Sequence, residues 1–287
     1  IGFLQAGGPE LEHELDRVDG IRGVGDQRED HERSRWPRQG EAGEVGGMQG
    51  DDAHADHVLP EKGVGEGIRA SGVPRNEIFL VTKVSHEYLS QDAFAKSVDE
   101  SLKNLQVDYV DMLHVHWPTI DNIPMAETMT ALALAKQQGL TRHIGVANFN
   151  IALLEKAMSL CPEPIVSLQA EYHPYLDQQK ILAFCKSKGL IFTAYCPLAR
   201  GRLFDDPVLS EMARSKDKSI AQIVLRWLTQ QGQIIPIPRS SNPERIAQNL
   251  DIFNFTLSPS EMQQIHSLAK PDGRKQTLLV EHRFGIN

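Results

Sequence analysis

A chain of 287 residues with 40% hydrophobic content can bury a sizeable core, as one large domain or two modest ones. Its formal charge of -8 and isoelectric point near 5.8 argue against nucleic acid or an anionic membrane as partner, since such surfaces select for excess Lys and Arg. The three cysteines, Cys161, Cys185 and Cys196, form no CxxC pair and are odd in number, so neither a disulfide framework nor a thiolate zinc site is suggested and a reducing cytoplasm is the expected setting.

No apolar run approaches the roughly 18 residues of a membrane span, and no basic segment with an apolar signal core stands at the start. Ile1 in place of Met reads as a fragment or an incomplete start. In chain order, residues 1–60 hold 11 of the 22 glycines, 14 acidic residues and six arginines but no lysine. They lack any long alternating or 3.6-spaced apolar run, so they read as disordered or weakly helical, with ELEHELDRV at 10–18 the best helical candidate. The expected division is an unrecognisable 1–60 and a barrel domain over 61–287. GVGEGI at 63–68 is not GxGxxG and follows no strand, so it reads as the small-residue face of a helix.

From Glu61 onward, short β-branched runs alternate with amphipathic helical segments. The runs are IFLVTKV (78–84), VDMLHVH (110–116), HIGVAN (143–148), IVSLQAEY (165–172), IFTAYCPL (191–198) and IIPIP (234–238). The segments between them are long enough for parallel crossovers, and Gly139, Gly189 and Gly232 stand where helix ends favour a left-handed residue. The fold class is α/β. An unbroken series without a Gly-rich phosphate loop predicts a (β/α)8 TIM barrel over a doubly wound sheet. Two strands must then come from residues 1–60, where none is recognisable.

In such a barrel the chemistry sits at the C-terminal ends of strands. Those positions carry Lys83, His116 with Trp117 and Pro118, Asn148, Gln169 with Glu171 to Pro174, Tyr195, and PRSSNPERIAQN at 238–249. Each has a plainer alternative. Lys83 suits a structural salt bridge as well as catalysis; His116, like His114 on the same sheet face, suits a satisfied core histidine; Tyr195 suits packing. In the last segment Arg239, Ser240 and Ser241 precede a helix capped by Asn242, with Pro243 at its first position and Arg245 in its first turn. Guanidinium groups, hydroxyls and a helix N-terminus together form a phosphate site, against the alternative of a solvated helix start.

IRASGVPRNEIFLVTKV, SLKNLQVDYVDMLHVHWP, GLTRHIGVANF, LQAEYHPYL, AYCPLARG and IPIPRSSNPERIAQNL, in that order, resemble the aldo-keto reductases of the 2,5-diketogluconate reductase type over about residues 61–257. The resemblance implies a cytoplasmic monomer, a (β/α)8 barrel that reduces small aldehydes and ketones with NADPH and without metal. By the same resemblance Lys83 is the catalytic lysine and His116 orients the substrate oxygen. Asn148 and Gln169 hold the nicotinamide carboxamide, Tyr195 stacks on the ring, and backbone near Pro197 and Leu198 follows the pyrophosphate. Arg239, Ser240 and Arg245 grip the 2'-phosphate, with Gln248 and Asn249 at the adenine.

The sequence departs from the family at Ala147 for serine, Leu168 for asparagine, Ser85 for a pocket tryptophan and Cys196 for serine. Ala147 removes one carboxamide hydrogen bond of about 1 kcal/mol. Upstream, DDAHADHVLPE stands in place of the segment that carries the family's aspartate and proton-donating tyrosine. Asp51, Asp52 and Asp56 lack the following Thr-Ala, and no tyrosine precedes Tyr88. Turnover is expected to fall severely, since general acid catalysis contributes about 100-fold to 10,000-fold. Out-of-frame translation is the favoured account of 1–60, because a one-base shift across HADHVL permits a tyrosine three positions before Glu61. A divergent N-terminus and a metal-binding insertion through His54, Asp56 and His57 stand as alternatives.

Overall fold

The computed structural model describes residues 61–119, 123–271 and 273–274, together with the backbone of 3–5. Six parallel strands follow one another: β2 (Ile78–Val84), β3 (Val110–Val115), β4 (Thr141–Ala147), β5 (Ile165–Glu171), β6 (Ile191–Tyr195) and β7 (Ile234–Pro236). Each pairs with the next, so the sheet grows in sequence order without the reversal of a doubly wound sheet. This is the architecture of the (β/α)8 barrel, with six of its strands among the described residues.

The sequence reading found no strand in 1–60, whereas the structure places a short one, β1 (Phe3–Gln5), antiparallel to β2. It covers the edge of β2 but is not a parallel barrel strand, and three residues offer too little pattern to detect. The helical candidate at 10–18, Asp51, Asp52, and the metal alternative through His54, Asp56 and His57 lie outside the described residues.

Between the strands run α1 (Glu61–Ser71), α2 (Gln91–Leu105), α3 (Met125–Gln137), α4 (Ile151–Leu160), α5 (Gln179–Lys188), α6 (Pro207–Lys216) and α7 (Ile220–Thr229), and α8 (Pro243–Leu250) and α9 (Pro259–His266) follow β7. No described helix is long and apolar enough to cross a membrane. Gly139, Gly189 and Gly232 have φ of 71°, 69° and 71°, the left-handed region expected of them. GVGEGI lies in α1, where Gly65 faces the Leu105 carbonyl so closely that a Cβ would collide with it. Gly65 thus permits helix packing, whereas Gly63 and Gly67 face open space.

Two apolar layers follow from strand alternation. The outer layer joins strands to helices, with Leu80, Leu113, Ile144, Leu168, Phe192 and Trp227 in one cluster. The inner cluster, Val81, Met112, Val166 and Ile191 with Phe79 and Ile235, comes from strands alone and fills the barrel interior. Lys83 lies opposite His114, and His114 opposite Gly145, on the inner face above this plug. The described strands therefore carry an apolar inner layer and, above it, polar residues toward their C-terminal ends.

Candidate active site

Strands end where the left-handed backbone or proline stops them, earlier than the apolar runs implied. Asn148 (φ 63°) follows β4, Cys196 (φ 49°) follows β6, and Pro236 closes β7. His116 lies just beyond β3, its N–H donating to the Val84 carbonyl at 2.9 Å. Asn tolerates a positive φ better than most residues, which suits it to a strand exit that turns its amide inward.

At this mouth the Asn148 Nδ2 donates to the His116 carbonyl at 3.0 Å, while Tyr195 donates its hydroxyl proton to the Asn148 Oδ1 at 2.9 Å. The Asn148 N–H donates to the Gln169 carbonyl at 2.8 Å. The ends of β3, β4, β5 and β6 are thereby tied together. Of the residues singled out in the sequence, His116, Asn148, Gln169 and Tyr195 are brought into one hydrogen-bonded group, and Lys83 stands beside it in register with His114.

Lys83 has no ion pair or hydrogen bond among the described residues, and burial lowers its pKa to about 8. The salt-bridge alternative therefore finds no described partner. His116 is lowered to about 3, by burial first and then by the Lys83 charge, so its imidazole is neutral at pH 7. Tyr195 is pushed upward by burial and by Glu171, the residue opposite it in register. Its phenol stays protonated, and the proton is already engaged by Asn148. The Gln169 side chain is buried and its Oε1 has no partner among the described residues. Such an atom costs about 1–3 kcal/mol unless a ligand completes it.

Sequence reasoning gave no role to three further groups. His114 is a core histidine whose Nε2 lies 3.2 Å from the Ser167 hydroxyl and whose Nδ1 has no partner. Glu171 and His173 are fully buried, with Oε1 and Nε2 3.0 Å apart. The signal was present in EYH, because residues two apart at a strand end can fall on one face, but spacing alone did not distinguish a buried pair from packing.

The remaining candidates lie on flanking loops. Pro197 and Leu198 follow β6 in a turn whose Ala199 and Arg200 also have positive φ, 46° and 53°. Beyond β7, Asn242 caps α8 by accepting from the Arg245 N–H at 3.0 Å, and the Ser240 hydroxyl accepts from the Asn242 N–H at 3.1 Å. Pro243 opens the helix as expected. Arg239, Arg245 and Gln248 are exposed, Ser240 and Asn249 half-buried. Neither guanidinium has a partner among the described residues, which leaves both available to an anion. No side-chain hydrogen bond among the described residues joins this loop to the mouth. Among the described residues, no three His, Cys, Asp or Glu side chains are grouped to hold a metal ion.

A family model described as the aldo/keto reductase family matches residues 56–270. The glyoxal reductase of Bacillus subtilis (strain 168) is 39% identical over 213 residues, covering 74% of this chain and 76% of that protein. A solved structure assigned as a 2,5-diketo-D-gluconic acid reductase B superposes with a TM-score of 0.73 at 43% identity, covering 75% of this chain and 76% of that one. An aldo-keto reductase of Bombyx mori in complex with NADP gives a TM-score of 0.72 at 35% identity, covering 77% and 79%.

Proposed function

The chain belongs to the aldo/keto reductase family, and from that premise we propose that it is an NADPH-dependent reductase of aldehydes and ketones, with small carbonyl compounds such as methylglyoxal and diketogluconate as its substrate class. The observation that carries this reading is the buried Gln169 Oε1, an acceptor without a partner among the described residues at the barrel mouth. A carboxamide N–H would complete it. Asn148 would join Gln169 there, Tyr195 would stack on the ring, and backbone at Pro197 and Leu198 would follow the pyrophosphate. The unpaired Arg239 and Arg245, with Ser240, would take the 2'-phosphate, and Gln248 and Asn249 the adenine. Two free guanidinium groups favour NADPH over NADH, which would leave them unpaired.

Bound NADPH would supply the hydride. Neutral His116 can donate one N–H to the substrate carbonyl oxygen, and the Lys83 ammonium, mostly protonated at pH 7, places positive charge beside the developing alkoxide. No tyrosine precedes Tyr88, and the Tyr172, Tyr175 and Tyr195 hydroxyls donate to Gln231, Asp206 and Asn148. That pattern favours turnover about 100-fold to 10,000-fold below a reductase with a dedicated proton donor. It also supports a second reading, an NADPH-binding barrel without turnover.

The test pairs two signals. NADPH should quench Trp117, whose ring centroid lies 6.1 Å from that of His116, and methylglyoxal should then cause slow loss of NADPH absorbance. Quenching without oxidation selects the second reading. Absence of both sinks the two together.

A further inference from the structure

We infer that the buried Glu171 carboxylate, fixed beside Tyr195 by His173, favours the oxidised, cationic form of the bound cofactor over the reduced, neutral one and so eases hydride release. The inference rests on the NADPH reading above, with the nicotinamide stacked on Tyr195.

Glu171 closes β5 and lies directly opposite Tyr195 on β6. Residues paired in this way project from the same face of the sheet, on strands about 4.8 Å apart, so the carboxylate and the phenol ring leave their strands side by side. The ring is fixed at its far end, where the Tyr195 hydroxyl donates to Asn148 Oδ1 at 2.9 Å. The carboxylate is fixed as well. His173, fully buried like Glu171, has its Nε2 3.0 Å from Glu171 Oε1, and its carbonyl accepts from the Leu176 N–H at 3.0 Å. Gln178 Nε2 donates to the Glu171 carbonyl at 2.8 Å, and the Tyr172 N–H donates to the Tyr195 carbonyl at 3.2 Å. These bonds close the turn that leads from β5 to α5.

Such a turn needs a hydrogen-bonding side chain at position 171, and a neutral amide would serve. A carboxylate adds a unit charge, in a place where water and salt screen it little. Tyr195 registers that charge: after burial, Glu171 is the largest cause pushing its phenol upward, against the opposing pull of Arg274 and Arg200. A ring stacked on Tyr195 would lie in the same field. In the proposed reaction a hydride carries two electrons from that ring to the carbonyl carbon, the C=O pair moves to oxygen, and oxygen takes a proton from water. The ring is left with one positive charge more, and the rest of the dinucleotide is unchanged. A fixed charge near the ring therefore distinguishes the two forms, and one farther away does not. The Lys83 ammonium at the same mouth would oppose the cationic ring, and Glu171 offsets it.

The experiment titrates the full chain with NADPH and with NADP+ separately, by calorimetry and without substrate. Glu171→Gln is near-isosteric, and its amide oxygen can still accept from His173. NADP+ affinity should fall about tenfold while NADPH affinity stays within about twofold. That change of ratio equals a shift of about 30 mV in the potential of the bound couple. Glu171→Asp keeps the charge and should hold the wild-type ratio. A purely structural role would weaken both forms together, because they share every contact outside the ring, and an E171Q ratio equal to that of wild type overturns the inference. If E171Q fails to fold, the wild type decides. NADP+ should bind within about threefold of NADPH in spite of Lys83, and a larger preference for NADPH overturns the inference. Binding of both forms with the wrong ratio leaves the NADPH reading standing, whereas failure of the wild type to bind either form refutes that reading and the inference with it.

Discussion

The two ends of the barrel treat buried charge in opposite ways. At the base, Asp111 on β3 is 3% exposed and fully compensated, with Arg75 at 2.8 Å, Arg142 at 3.3 Å and the Leu80 N–H donating at 2.8 Å. Both guanidinium groups also lie against the Tyr109 ring, at 4.4 and 4.7 Å from its centroid. At the mouth, among the described residues, Lys83 has no anion and Gln169 Oε1 and His114 Nδ1 have no partner. Satisfied polar groups lock a structure, whereas unsatisfied ones carry a cost that a ligand can relieve. The base is built for stability, and the mouth is the end at which the proposed chemistry would sit.

Breaking the base should have the largest effect. Asp111→Ala leaves two arginines and a strand N–H without their acceptor, and should destabilise the fold by about 3 kcal/mol, toward the low end for a broken buried pair because Arg142 is 42% exposed. Urea denaturation reads this directly. A loss below about 1 kcal/mol would mean that the base is no better compensated than the mouth.

The opposite sign is expected at the mouth. The folded pKa of Lys83, about 8, lies below its unfolded value of 10.5, so the unfolded chain binds more protons between those limits. The burial cost is therefore fully present below pH 8 and fades as pH rises toward 10.5. Lys83→Met should stabilise the protein by about 2 kcal/mol at pH 7 and hardly at all above the unfolded pKa. Melting curves at pH 7 and at high pH test it; a gain that does not change with pH would point to packing instead.

Gln169→Leu sharpens the contrast at a single atom. Removing an unpartnered acceptor should leave stability unchanged or raise it by about 1 kcal/mol, while NADPH affinity falls about tenfold. Fluorescence titration and thermal melts on the same sample separate the two effects. Smallest in stability are Arg239→Ala and Arg245→Ala, exposed and unpaired, which should change unfolding by less than about 0.5 kcal/mol. Each should still weaken NADPH binding about tenfold and leave NADH binding nearly untouched.

Much of the fold was legible because the strand runs are β-branched and buried on both faces, a pattern that barrel strands impose. Lys83, His116, Asn148, Gln169 and Tyr195 were legible as polar or aromatic residues closing such runs. Strand ends were less so: HIGVAN and IFTAYCPL continue as apolar text through Asn148 and Cys196, where only backbone geometry shows the reversal. Arg75, Asp111 and Arg142 belong to three segments, and nothing in their spacing reveals that they meet.

By itself the sequence determined the order of strands and helices, the left-handed glycines at helix ends, the capped and proline-led start of α8, and the absence of any tyrosine before Tyr88. These depend on local periodicity and residue identity. Tertiary structure alone decided that Lys83 faces imidazoles, that Gln169 keeps an acceptor open, and that Asp111 is compensated three times over. Partnership between polar groups is set by which strands the barrel makes neighbours, and that is a property of closure in space.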